Sequence, residues 1–124
     1  WRALPDTLHG EVITLLIGSN DILSPVHRRL LPEAMAELLA HLPSSAIVSA
    51  IPSPAPPARQ ANELIAAAAA AGRIRAVTPT LLGPASWRGK LASDRFHPND
   101  AGYTMIAEVF APAVREALAR GAER

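Results

Sequence analysis

The stretch Glu11–Ile17 (Glu-Val-Ile-Thr-Leu-Leu-Ile) is a nearly continuous apolar run that is rich in β-branched residues. Apolar side chains occupy both alternating sets of positions, which is typical of a strand that is covered on both faces in a parallel sheet. Gly18-Ser19-Asn20-Asp21 follows directly, and residues of these types favour a turn. The sequence therefore predicts a buried strand whose carboxyl end carries polar side chains.

The rest of the chain alternates between predicted helices and strands. We predict strands over 46–51 and 74–78, and helices over 32–42, 59–71 and 101–120. This alternation indicates an α/β fold with a parallel sheet. Ligand sites in such sheets form at the carboxyl ends of the strands, where the loops 18–21, 52–57 and 79–97 are expected to meet.

Prolines are expected to set several element boundaries. Ser24-Pro25 is typical of a helix N-cap followed by its first residue, and Pro32 predicts a second helix start. The segment Pro52–Pro57 predicts a stiff, extended loop. Pro112 is expected to kink or split the last helix, because it cannot donate a hydrogen bond to Glu108.

The composition excludes several classes of protein. A chain of 124 residues with 49% hydrophobic residues can form one domain with a modest core. The net charge of +1 and the few aromatic residues argue against a nucleic-acid binder. No Cys is present, and no apolar run has the length of a membrane span. Arg is far commoner than Lys, which we interpret as the coding bias of a GC-rich, bacterial genome; the composition does not indicate a compartment.

Asp94 and His97 lie three residues apart, just ahead of the last predicted helix. Asn99 or Asp100 is a suitable N-cap for that helix, so the pair is expected in an accessible loop that a helix anchors. A carboxylate so close can hold one imidazole nitrogen and leave the other free to accept a proton. The alternative is an Asp that caps a turn next to a surface His.

The turn after the first predicted strand contains a second set of candidate residues. Gly18 allows a sharp turn, and Asn20 can aim an amide donor at a molecule above the sheet edge, as an oxyanion hole requires. Asp21 is expected to tie the turn to its neighbours or to cap a helix. An ordinary polar turn is the alternative interpretation.

Taken together, the two motifs resemble the signature blocks of a known family. Gly18-x-Asn20-Asp21 after an apolar strand is similar to the third block of the SGNH (GDSL-type) hydrolases, and Asp94-x-x-His97-Pro98-Asn99 is similar to the fifth. The family comprises esterases, lipases, acyl hydrolases and carbohydrate deacetylases with a flavodoxin-like, three-layer α/β/α fold. The resemblance implies Asn20 as an oxyanion donor, His97 as general base, Asp94 as its partner, and no cofactor.

The chain departs from the family pattern at the nucleophile. The Gly-Asp-Ser block that carries the family's Ser precedes the third block, yet no Ser lies before Gly18. We therefore expect residues 1–124 to form a single domain that lacks its N-terminal strands. Ser19, Ser86 and Ser93 are weaker candidates for the nucleophile.

The remaining titratable residues do not form a recognisable site. We expect His9, His27 and His41 on the surface, and no metal site, because no set of His, Asp and Glu has the spacing of metal ligands. Trp87 is expected to line an acyl pocket or to cover the core. Arg88 and Arg95 are expected to meet an anionic group or to be solvated.

Two functions follow from this sequence. The first is hydrolysis of a small-molecule, lipid or carbohydrate ester by a Ser-His-Asp triad whose Ser lies upstream of this chain. The alternative is a non-catalytic binding or structural remnant, or one half of a two-chain assembly with the missing N-terminal segment as its partner. Neither involves nucleic acid or a membrane span.

Overall fold

A computed structural model describes residues 12–79 and 87–122 of the chain. Its elements, in order, are β1 (Thr14–Leu15), α1 (Ser19–Leu23), α2 (His27–His41), β2 (Ile47–Ser49), α3 (Pro56–Ala70), β3 (Arg75–Val77) and α4 (Asp100–Ala122). Within the described residues the three strands form one parallel sheet in the order β1-β2-β3. The predicted α/β class and parallel sheet are confirmed.

The strand register brings the carboxyl ends of the strands to one edge of the sheet. Thr14 is paired with Ile47 and Leu15 with Val48, while Val48 is paired with Ala76 on its other side. The segments that begin near residues 16, 50 and 78 therefore leave the sheet at the same edge, as parallel strands require. This edge is where the sequence analysis expects a site.

The sheet separates two packed layers of helices. Val48 belongs to the main apolar core with α2 and α3, whereas its neighbours Ile47 and Ser49 are buried outside that cluster. Because successive strand residues point to opposite faces, Ile47 and Ser49 face the α4 side of the sheet, and α4 contacts β2 and β3. The fold is therefore a three-layer α/β/α arrangement.

The Ala-rich helix α3 packs closely because its buried face is made of small residues. Ala58, Ala61 and Ala68 are fully buried around Ile65 in the core shared with α2. Small side chains let two helix backbones approach each other and bury area without overpacking.

Several predicted boundaries differ from the structure. The polar turn after β1 contains the short helix α1, and α3 begins at Pro56 rather than at Arg59. Two prolines fit there because the first helical residues need no hydrogen-bond donor. The predicted second helix start at Pro32 is also wrong, since Pro32 lies inside α2. The last helix continues through Pro112, so the expected split does not occur.

Candidate active site

The loop ahead of α4 holds Asp94 and His97 in direct contact. His97 Nδ1 lies 2.5 Å from Asp94 Oδ2. The other carboxylate oxygen, Oδ1, accepts hydrogen bonds from the backbone N–H groups of Phe96 at 2.9 Å and His97 at 3.0 Å. The Asp94 side chain therefore folds back onto its own turn, which fixes both the carboxylate and the imidazole beside it.

These hydrogen bonds keep the carboxylate charged. The hydrogen bond from the His97 ring, followed by those from the two backbone N–H groups, lowers the pKa of Asp94 to about 2. An ionised carboxylate only accepts hydrogen bonds, so Nδ1 of His97 must carry the proton in this pair. Nε2, which has no hydrogen-bond partner in the described part of the chain, is then the ring nitrogen that is able to accept one.

The loop that carries this pair is anchored at both of its ends. Leu91 and Pro98 form an antiparallel bridge, and the Ala92 N–H donates to the His97 carbonyl at 2.8 Å. The Phe96 ring meets the His97 ring edge to face, with 5.1 Å between the ring centroids. The imidazole is thus positioned by its own backbone as well as by its neighbours.

Asn99 joins this loop to the start of α4. Its Oδ1 accepts from the Gly102 N–H at 3.0 Å, which makes Asn99 the N-cap, as predicted. Its Nδ2 donates to the carbonyls of Gly89 at 3.0 Å and Leu91 at 3.2 Å. The sequence offered Asn99 as one of two candidate N-caps. It did not predict the hydrogen bonds to residues 89 and 91, because they join separate segments and depend on no local sequence pattern.

Gly102 lets the first turn of α4 approach the same loop closely. A Cβ atom at this position would lie 2.3 Å from the Lys90 carbonyl oxygen and 2.8 Å from Pro98 Cβ. Both distances are shorter than any normal contact, so only a glycine fits here without a shift of the backbone. The close approach places α4 directly under the His97 loop.

The turn after β1 brings Asn20 to the same side of the molecule. Gly18 has a φ of +100°, and a Cβ atom there would lie 2.7 Å from Ile51 Cδ1. The left-handed backbone turns the chain from β1 into α1, where Asn20 is exposed and Asp21 is half-buried. This turn therefore has room and backbone freedom for a glycine only.

A cleft of about 1320 Å³ lies between these two loops, with Asn20 and His97 both in its wall. The other described residues that line it are predominantly apolar or aromatic, among them Leu16, Ile22, Leu23, Trp87, Phe96, Tyr103 and Ile106. A largely apolar cleft with a few convergent polar groups is the usual form of a small-molecule site. The structure therefore brings together the two motifs that lie more than seventy residues apart in the sequence.

A third wall of the cleft comes from Pro52, Ser53 and Pro54. Asn62 of α3 holds the start of this wall, since its Oδ1 accepts from the Ile51 N–H at 2.7 Å and its Nδ2 donates to the Ile51 carbonyl at 3.0 Å. These two hydrogen bonds give the backbone of Ile51, which lies just beyond the end of β2, the partners that a neighbouring strand would otherwise supply. Sequence reasoning missed Asn62, because a lone Asn inside a helical pattern gives no signal for such a contact.

The other predicted candidates are less central or lie elsewhere. Ser19 lines the cleft, but no hydrogen bond joins it to His97, and Ser93 is exposed. Ser86 and His9 lie outside the described residues, while His27 and His41 are exposed on α2. Trp87 lines the cleft, and its indole nitrogen is buried without a hydrogen-bond partner among the described residues.

Neither a metal cluster nor a membrane span is found in the described ranges. Across 12–79 and 87–122, no three His, Asp or Glu side chains are grouped so that they could hold a metal ion. No helix in the same ranges combines the length and the apolar character that crossing a membrane requires.

Comparison with known proteins identifies the family. The model of the GDSL-like lipase/acylhydrolase family matches residues 1–105, a span that contains both Asn20 and the Asp94–His97 pair. No curated protein and no solved structure gives a significant match to the chain. The family match covers most of the sequence and agrees with the parallel α/β fold, so the chain belongs to the GDSL-like lipase/acylhydrolase family.

Proposed function

We propose that this chain supplies the general base, its orienting carboxylate and an oxyanion donor of an ester hydrolase. Membership of a lipase/acylhydrolase family favours ester hydrolysis. The observation that carries the assignment of residues is the 2.5 Å contact between Asp94 Oδ2 and Nδ1 of His97, which lines a cleft together with Asn20. A base, its orienting group and an amide donor that share one apolar cleft are the parts that acyl transfer needs.

The reaction begins with a Ser hydroxyl that attacks the ester carbonyl carbon while its proton passes to Nε2 of His97. Asp94 stays ionised and stabilises the imidazolium that forms. The tetrahedral oxyanion accepts a hydrogen bond from the Asn20 side-chain amide. Collapse of the intermediate expels the alcohol, which takes the proton from His97. A water molecule then repeats both steps and releases the carboxylic acid and the free Ser.

The nucleophile in this proposal comes from outside residues 1–124. Ser19 and Ser53 both line the cleft among the described residues, and neither makes a hydrogen bond to His97. Ser19 begins α1 directly after the turn from β1, but Ile17 and Asp21 stand at the two Gly positions of the Gly-x-Ser-x-Gly pattern that marks a nucleophile elbow. In this proposal the attacking hydroxyl therefore comes from a Ser upstream of this chain, where the resemblance implies the Gly-Asp-Ser block.

The test is the hydrolysis of a short-chain aryl ester by the natural protein that contains this chain. We expect Asn20→Ala to lower kcat by roughly 10²–10³, the usual loss for one oxyanion donor. His97→Ala should lower it further, and Asp94→Asn should lower it through the wrong imidazole tautomer while the fold is kept. Full activity of Asn20→Ala or Asp94→Asn would contradict the assigned functions of these residues. Absence of any esterase activity in the parent would favour a non-catalytic binding domain.

A further inference from the structure

Two arginines add positive charge to a cleft that is otherwise apolar. Arg88 and Arg95 both line it, and no Asp or Glu is found among its described lining residues. Neither guanidinium has an ion-pair partner in the described part of the chain. Asp94, the nearest acid in sequence, is already engaged by His97 and by two backbone N–H groups. The described lining of the cleft therefore contains two cationic side chains and no carboxylate.

The backbone of Arg95 provides a second, independent observation. Its φ is +57°, the left-handed region that side chains with a Cβ rarely adopt, and it is the only non-glycine residue in that region in the described part of the chain. Gly or Asn would fit this position with less strain. A strained backbone at the rim of a cleft, in the turn between Asp94 and His97, is typical of a residue whose side chain has a function.

We propose that the cleft binds esters that carry a negatively charged group, phosphate or carboxylate, and that Arg95 and Arg88 bind that group. That the ligand is an ester rests on the proposed function. The binding of its anionic group does not, because binding needs no chemical step. A guanidinium makes charge-assisted, often bidentate hydrogen bonds with either anion, while the apolar walls at Ile22, Phe96 and Ile106 accept an alkyl chain. The ester would then lie between the anionic group and the hydrophobic part of the substrate.

The experiment is a titration of the chain with three probes whose alkyl groups have six or seven carbons: hexyl phosphate, heptanoate and the neutral 1-heptanol. The indole N–H signal of Trp87 in nitrogen-15 NMR spectra reports binding, since this side chain lines the cleft. We expect at least one anionic probe to bind about fivefold or more tightly than heptanol, the upper range for a partly solvated ion pair. Added salt should weaken the binding of the anion and leave that of heptanol unchanged. The two anionic probes distinguish phosphate from carboxylate.

Arg95→Asn is the decisive variant. This variant should have the same Tm as the parent or a higher one, because Asn tolerates a positive φ. Its affinity for the anionic probe should nevertheless fall about fivefold. A merely structural role for Arg95 predicts no such loss in affinity. Arg88→Gln should weaken binding similarly, whereas Arg59→Gln, which removes an exposed charge from α3, should not change it.

Equal affinity for the anionic probes and heptanol, or equal losses with Arg59→Gln and Arg95→Asn, would overturn the inference. Failure of the proposed function has a different result: the chain would still bind the anionic probes, but the natural protein would hydrolyse no ester. Conversely, hydrolysis of neutral esters without any preference for the anionic probes would keep the proposed function and reject this inference.

Discussion

Replacing Gly102 with Ala tests whether close packing of α4 holds the His97 loop. The added Cβ atom would lie 2.3 Å from the Lys90 carbonyl oxygen, and contacts shorter than 3.0 Å essentially never occur, so the two segments must separate by at least about 0.7 Å. The Lys90 carbonyl also accepts the Asn99 N–H at 2.9 Å. Separation of the segments therefore strains the same hydrogen bonds that position His97.

The expected loss in stability follows from two opposing effects. Overpacking a well-packed site costs roughly 1–3 kcal/mol, and the obstacle here is backbone rather than a flexible side chain. An Ala inside a helix is favoured over a Gly by up to about 1 kcal/mol. The clash is the larger effect, so we expect a net loss of about 1 kcal/mol, which lowers the Tm by roughly 4 °C in a domain of this size.

Gly121→Ala is the matched control. Gly121 lies in the same helix, and no atom is within 4 Å of the Cβ that it would gain. This variant should have the same or a higher Tm, because it has the helix-forming advantage without the clash. Thermal unfolding followed by circular dichroism, together with the His97 ring signals in NMR spectra, compares the two. If Gly102→Ala melts as high as Gly121→Ala and leaves the His97 signals unchanged, the close approach does not position the loop.

Two further predictions concern residues around the cleft. Asn62→Ala should lower the free energy of unfolding by roughly 1–3 kcal/mol, because it leaves the buried N–H and carbonyl of Ile51 without partners. Chemical denaturation measures this loss, and an equal loss in the control Gln60→Ala, at an exposed position of the same helix, would contradict the prediction. The lowered pKa of Asp94 stabilises the fold above about pH 4, and this contribution is lost as the pH falls towards 2. The Tm difference between the parent and Asp94→Asn should therefore shrink over that range, and a constant difference would show that these hydrogen bonds do not lower the pKa of Asp94.

Local signals in the sequence were sufficient for much of this fold. The apolar run before Gly18 and the alternation of strands with helices predicted the parallel sheet. The expected burial of the first strand on both faces is wrong, since Thr14 is exposed and Leu15 is half-buried. The N-cap at Asn99 was predictable because capping depends on residues within one turn. The Asp94–His97 contact is equally local, since only two residues of a tight turn lie between them.

Contacts between distant segments explain most of what the sequence did not predict. α1 begins with Ser, Asn and Asp, which favour turns when isolated, and its contacts with α2 and α3 come only with the tertiary fold. The bonds of Asn62 to Ile51 and the fit of Gly102 against Lys90 depend on how two elements dock. Residue type alone does not encode such docking, because the same Asn or Gly would suit many exposed positions.

The most direct test of the acid–base pair is the protonation state of the His97 ring nitrogens in this chain. Nitrogen-15 chemical shifts of the imidazole identify which nitrogen carries the proton in the neutral ring. We predict a proton on Nδ1, held by Asp94, and an unprotonated Nε2 in a ring that lines the cleft. We also predict that Asp94→Asn shifts these signals, whereas Asp100→Asn, at the start of α4, does not. A neutral ring with its proton on Nε2, or ring signals that are unaffected by Asp94→Asn, would contradict the account.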